Sequence, residues 1–103
     1  MKLSMTLAEQ SQTVLVEEAR LDASIATAFK DRMREMIQQG RPLIVLDLRN
    51  VEFMDSSGLG ALISILKSMP VGKRLELTGL TPNVERVLRL THMDEIFHIY
   101  QRR

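Results

Sequence analysis

The chain contains no cysteine and no tryptophan. Without thiols it can form neither disulfides nor thiolate zinc sites, and a cysteine nucleophile is excluded. Its only aromatic residues are three phenylalanines and one tyrosine, too few to build a platform on which nucleic-acid bases stack. The charges nearly balance, with 14 basic and 13 acidic residues spread along the chain and a net charge of +1. Nucleic-acid binding is therefore not expected.

Long apolar runs are also missing. The longest apolar run, residues 59–66, is far shorter than the ~20 residues that span a bilayer. Ser4, Thr6 and Glu9 interrupt the beginning of the chain, so it does not read as a signal peptide. We expect a soluble, cytoplasmic protein with no membrane partner, built as a single domain over residues 1–103, a usual size for one small domain.

What the sequence does contain is an alternation of strand-like and helix-like segments. Predicted strands cover residues 2–8, 13–16, 43–48, 74–78 and 96–100, and predicted helices cover residues 23–39, residues 56–69 and a third segment starting at Thr81-Pro82. Asp22 or Ser24 is expected to cap the first helix, and Gly40 to end it. Residues 43–48 are almost continuously apolar, which is typical of a strand buried on both faces. The order β-β-α-β-α-β-α-β predicts an α/β fold with a mixed, mostly parallel sheet and helices packed against it.

One segment of polar residues stands out at the start of the second helix, Asp55-Ser56-Ser57-Gly58. Unpaired N–H groups and a partial positive charge mark the first turn of any helix, and Asp and Ser are favoured there as caps. A purely structural interpretation is therefore sufficient: Asp55 or Ser56 caps the helix, while Gly58 and Gly60 allow close packing.

A functional interpretation adds a phosphoryl group on one of the two serines. That group brings about −1.5 to −2 charges and three acceptor oxygens, which the N–H groups of the helix terminus can accommodate. A partner docking on the same surface would meet a bulky dianion, and desolvating an unpaired charge is costly. The chemistry predicts a binding switch with little change of fold, but it does not choose between Ser56 and Ser57.

The segment Val51-Glu-Phe-Met-Asp-Ser-Ser-Gly-Leu-Gly60 resembles the signature of the STAS domain, specifically that of anti-sigma-factor antagonists of bacterial partner-switching pathways. Weaker matches are Arg20-Leu21-Asp22, with Ala19 where the family usually has glycine, and the segment from Thr81 to Leu88. The resemblance covers residues 3–100. Family members often carry a further helix after the last strand, and since this sequence stops at Arg103, we expect that helix to be lacking.

This resemblance implies a function. It identifies Ser56 as the phosphorylated residue, and the partner is an anti-sigma factor or a histidine-kinase-like ATPase that acts as the serine kinase. The unphosphorylated form binds this partner, phosphorylation of Ser56 releases it, and a PP2C-type phosphatase reverses the mark. Such a protein is a kinase substrate, not an enzyme, and needs no cofactor. The residues expected to contact the partner are Asp22, by family match only, and Asp55, Ser56, Ser57, Gly58 and Leu59.

Two other functions fit the same resemblance. The protein could be a constitutive STAS subunit of a larger complex, such as a lipid-transport ABC system, or the same switch could act on a client other than a sigma factor, in secretion or biofilm control. Metal binding and catalysis at other residues are not expected. His92 and His98 are accompanied by no cysteine and no third histidine, so a metal site is not expected. The residue two positions before Ser56 is Met54, not the glycine of a hydrolase nucleophile elbow.

Overall fold

The computed structural model describes residues 1–100, which form a mixed, mostly parallel sheet with three helices packed against it. The main sheet has the strand order β1-β2-β4-β6-β7, and a separate two-stranded sheet pairs β3 with β5. Among residues 1–100, β1 pairs antiparallel with β2, and the other strand pairs are parallel. The strands are β1 (Leu3–Leu7), β2 (Ser11–Val16), β3 (Arg20–Leu21), β4 (Leu43–Asp47), β5 (Phe53–Met54), β6 (Arg74–Thr78) and β7 (His98–Tyr100). The helices are α1 (Ala26–Gln39), α2 (Ser56–Lys67) and α3 (Pro82–Leu90), and a 3₁₀ turn covers Met93–Glu95.

The hydrophobic core lies on one face of the main sheet. Val14, Leu46 and Leu77 occupy neighbouring register positions and are fully buried. Apolar side chains of the helices cover them, including Phe29 of α1 and Leu62 of α2. Burial of this kind contributes about 1.5–3 kcal/mol for each large apolar side chain.

The other face of the sheet is less covered, which corrects one prediction. Strand β4 is not buried on both faces: Ile44 and Leu46 are buried, whereas Leu43 and Val45 are only half-buried. The parallel neighbours of Val45 are Thr13 and Glu76, so this face is polar as well as apolar. A continuous apolar run therefore did not distinguish a strand covered on one face from one covered on both.

The predicted strands and helices are confirmed, with bounds that differ by a few residues at some ends. Strands β3 and β5 were not predicted, because two-residue strands have no periodicity. Helix α1 begins at Ala26, not at residue 23, and neither Asp22 nor Ser24 caps it; the Asp22 side chain instead accepts the Ser24 N–H within the preceding turn, at 3.0 Å. Thr81 is the N-cap residue of α3 as expected, but its hydroxyl donates to the Val51 carbonyl at 2.6 Å instead of capping.

The remaining predictions concern the ends of the elements and the membrane. Gly40 ends α1 as predicted, and its N–H donates to the Ile37 carbonyl at 3.2 Å. The last strand is shorter than residues 96–100, and the basic tail after it lies outside the described residues. No helix formed by residues 1–100 is long and apolar enough to cross a bilayer.

Candidate functional site

The short sheet of β3 and β5 brings two aspartates together. Its parallel register pairs Arg20 with Phe53 and Leu21 with Met54. The next residue after each strand is an aspartate, Asp22 or Asp55, so both stand at the same carboxyl edge. The Ala23 N–H donates to Asp55 Oδ2 at 3.4 Å, which ties the two loops to each other. Asp22 therefore lies beside the serine loop, although the chain separates the two by more than thirty residues.

Asp55 is the N-cap of α2, which decides between the two cap candidates. Its backbone is extended, with φ −105° and ψ −173°, and its side chain accepts the Gly58 N–H at 3.0 Å. Ser56 and Ser57 occupy the first two helical positions. In the described part of the chain neither hydroxyl has a hydrogen-bond partner, and Ser56 is exposed while Ser57 is half-buried.

Replacing Asp55 tests this cap. Asp55→Ala removes the acceptor for both the Gly58 and the Ala23 N–H groups, and we expect it to lower the free energy of unfolding by about 1–2 kcal/mol. Asp55→Asn keeps one amide oxygen and should lose less. Urea unfolding of the three proteins measures the order; equal stability of Asp55→Ala and the wild type would contradict the capping role.

Gly58 is required by packing. A Cβ atom at this position would lie 2.0 Å from the Leu21 carbonyl oxygen and 2.9 Å from its carbonyl carbon. Both are backbone atoms of β3 and cannot move aside as a flexible side chain can. Gly58 thus lets the first turn of α2 approach the strand that ends at Asp22, and this contact sets the distance between the two aspartate loops.

Asp22 is held as an ordered carboxylate. Its oxygens accept the Ser24 hydroxyl at 2.6 Å and the Arg20 Nε–H at 3.1 Å. Hydrogen bonds from Ser24, followed by that from Arg20, lower the pKa of Asp22 below its ordinary value. The Arg20 guanidinium also lies over the Phe53 ring, 4.2 Å from its centroid. The edge of the site therefore presents an ordered Asp22 carboxylate that is ion-paired with Arg20.

The remaining predicted residue, Leu59, plays a different part. It is half-buried, packs against the hydrophobic core and donates its N–H to the Asp55 carbonyl at 3.0 Å. Sequence reasoning missed Arg20 and Phe53 as members of the site. Their signal was present in the similar Arg-Leu-Asp and Phe-Met-Asp triplets, but only the β3–β5 pairing shows that these triplets lie side by side.

A concavity outside the serine loop is found on the less covered sheet face. It is lined by Thr13, Asp47, Glu76 and Tyr100. Within residues 1–100 no three potential metal ligands converge.

Comparisons with known proteins identify a matching family and similar proteins. The model of the STAS domain family matches residues 5–103. A Thermotoga neapolitana protein named as a candidate anti-sigma factor antagonist is 37% identical over 89 residues, covering 84% of this chain and 79% of the relative. The anti-sigma-B factor antagonist of Staphylococcus aureus is 29% identical over 80 residues, covering 77% of this chain and 74% of the relative.

Solved structures show the same fold. The crystal structure of a candidate anti-sigma factor antagonist from Thermotoga maritima has a TM-score of 0.80 at 33% identity and covers 95% of this chain and 85% of its own. The Bacillus protein SpoIIAA in its phosphorylated form has a TM-score of 0.72 at 16% identity, covering 99% of this chain and 92% of its own. The chain belongs to the STAS domain family. The two sequence relatives and the Thermotoga maritima protein are named as anti-sigma factor antagonists, established or candidate.

Proposed function

We propose that this protein is an anti-sigma-factor antagonist whose partner binding is switched off by phosphorylation of Ser56. The observation that carries the proposal is an exposed serine hydroxyl without an internal partner on the first turn of α2, directly beside the capping residue Asp55. A kinase can reach this hydroxyl without unfolding the protein. The antagonist names of its sequence relatives support the same role.

The first turn of α2 is suited to carry a phosphate. The Asp55 side chain accepts the Gly58 N–H, and the N–H groups of Ser56 and Ser57 take no part in that hydrogen bond. Phosphate oxygens are stabilised by such N–H groups and by the helix dipole. The fold should therefore tolerate phosphorylation of Ser56. In agreement with this, SpoIIAA has the same fold and was solved in its phosphorylated form.

A docked partner would not tolerate the mark equally well. Phosphorylated Ser56 would join Asp22 and Asp55 and turn a surface with two carboxylates into a strongly negative one. A partner that had desolvated this surface would then bury unpaired charge, which costs several kcal/mol. In this scheme the protein is a substrate of an ATP-dependent serine kinase and not itself an enzyme. The protein and the kinase work in the cytoplasm. A PP2C-type phosphatase removes the phosphate and restores the form that binds the partner.

Exposure favours Ser56 over Ser57 as the modified residue. Ser56 is exposed, whereas Ser57 is half-buried and lines a depression between α1 and α2. A kinase active site must surround the hydroxyl that it phosphorylates, and the more accessible hydroxyl meets this requirement. The family resemblance of the loop leads to the same residue.

Incubation with the histidine-kinase-like ATPase encoded nearest this gene and with ATP tests the proposal. We expect one phosphate per chain, located on Ser56 by mass spectrometry. Ser57→Ala should still be phosphorylated, whereas Ser56→Ala should fold, bind the kinase and acquire no phosphate. Phosphate on Ser57 alone, or none on a protein that binds the kinase, would contradict the proposal. Stable copurification with a transporter, insensitive to Ser56→Asp, would instead support a constitutive subunit.

A further inference from the structure

A groove between α1 and α2 begins beside the serine loop. Two adjoining depressions form it, and both are lined by Gly60 and Ser64. The depression nearer the start of α2 also contains Ser57 and Lys30, and the other contains Arg34 and Lys67. The groove therefore runs along α2 from the residue next to Ser56 toward the end of the helix.

The charges of this groove all have one sign. Lys30, Arg34 and Lys67 line it, and no carboxylate is found among its described lining residues. The ion pairs found within residues 1–100 involve Arg20, Arg49, Arg74 and Arg89, and His92 contacts Glu95; Lys30, Arg34 and Lys67 take part in none of these pairs. Arg34 is held across the groove by a hydrogen bond of 3.1 Å from its Nη2 to Ser64 Oγ. Three cations thus line the groove, and none of them forms an ion pair within the described structure.

Gly60 provides a second, independent observation. Unlike Gly58, it is exposed, and a Cβ atom built on it would meet nothing within 4 Å. A glycine inside a helix costs about 0.8–1 kcal/mol relative to alanine, and no internal contact of residues 1–100 requires one here. Its effect is to keep the floor of the groove low and the α2 backbone accessible to a closely approaching chain.

We propose that this groove binds an acidic segment of the protein partner, whose carboxylates pair with Lys30, Arg34 and Lys67. The inference rests on the proposed function, because the groove continues the surface around Ser56. Lys30 and Arg34 are one helical turn apart, about 6 Å along the axis, so carboxylates at similar spacing fit them. Acidic residues on the partner would also explain how phosphorylation acts, because a dianion on Ser56 lies beside the end of the groove and repels them.

A peptide titration tests the groove without reference to phosphorylation. A short polyglutamate peptide is added to the ¹⁵N-labelled full-length protein, with polyglutamine as the uncharged control. We expect saturable amide shifts at Gly60, Ser64 and Lys67 that weaken as ionic strength rises. Shifts of equal size with polyglutamine, or with inorganic phosphate at the same concentration, would overturn the proposal. No shift in the groove at millimolar peptide would also overturn it.

Charge reversal in the complex tests the same inference with the kinase partner. Lys30→Glu combined with Lys67→Glu should weaken binding at least about tenfold and reduce its salt dependence. Arg32→Glu is the matched control, because Arg32 is an exposed cation of α1 that does not line the groove, and it should change affinity less than about twofold. Equal effects of both variants would contradict the groove. If Ser56 is not phosphorylated but the double variant still loses binding, the switch fails and the groove stands.

Discussion

Replacing Gly58 with alanine is expected to lower the free energy of unfolding by about 3 kcal/mol or more, at the upper end of the overpacking range. The new methyl group would lie 2.0 Å from the Leu21 carbonyl oxygen. Either α2 must shift outward or β3 must give up its pairing with β5, and both movements separate Asp22 from Asp55. Urea unfolding followed by circular dichroism measures the loss.

Gly60→Ala is the matched control for this substitution, since it introduces the same methyl group two residues further along the same helix. Apart from the backbone of its own helix, no described atom lies within 4 Å of a Cβ built at Gly60. We therefore expect a gain of up to about 1 kcal/mol from helix propensity. Similar stability of the two variants would show that the close approach of α2 to β3 is not a constraint. If Gly58→Ala does not fold, the stabilised Gly60→Ala background allows the difference to be measured again.

Negative charge at Ser56 is expected to have the largest effect on function. Ser56→Asp should weaken partner binding about tenfold, which is 1.4 kcal/mol, and the phosphorylated protein about a hundredfold or more. The aspartate is the weaker mimic, because it has one negative charge where the phosphate has nearly two. The unfolding midpoint should change little in both cases, since the helix terminus favours the added charge.

A charge placed elsewhere controls for non-specific repulsion. Thr6→Asp adds the same charge on the exposed edge strand β1 and should leave the affinity within about twofold of the wild type. If Thr6→Asp and Ser56→Asp weaken binding equally, net charge and not the site controls the interaction. If Ser56→Asp binds normally while phosphorylation still releases the partner, a single negative charge is not sufficient, and the bulk of the phosphate dianion causes the release.

Much of the fold could be predicted because the strongly periodic segments follow local rules. The helix predicted over residues 23–39 and the predicted Thr81-Pro82 start of the third helix are found within a few residues of the expected positions. Strands β3 and β5 could not be predicted, because each exists only through pairing with the other across the chain. The burial of Val45 was also misjudged, because burial depends on which layer covers a strand and not on the strand itself.

The candidate site was predictable in part for the same reason. Local chemistry identified Asp55, Ser56 and Gly58 as a helix start, but left open which residue caps it; the Asp55–Gly58 hydrogen bond answers this. The position of Asp22 required the β3–β5 register. Nothing in the local sequence distinguishes Lys30 and Arg34 from the other cations of α1, and only the packing of α1 against α2 brings them opposite Gly60 and Lys67.

The most direct test of the switch compares one preparation of the protein before and after stoichiometric phosphorylation of Ser56. Its affinity for the kinase-type partner is measured by titration calorimetry, and its fold is checked by amide NMR spectra. We expect binding to weaken about a hundredfold, with chemical-shift changes confined to the Asp22 and Asp55 loops and the first turn of α2. Unchanged affinity, or loss of binding accompanied by unfolding, would contradict a switch that acts at the surface of an intact fold.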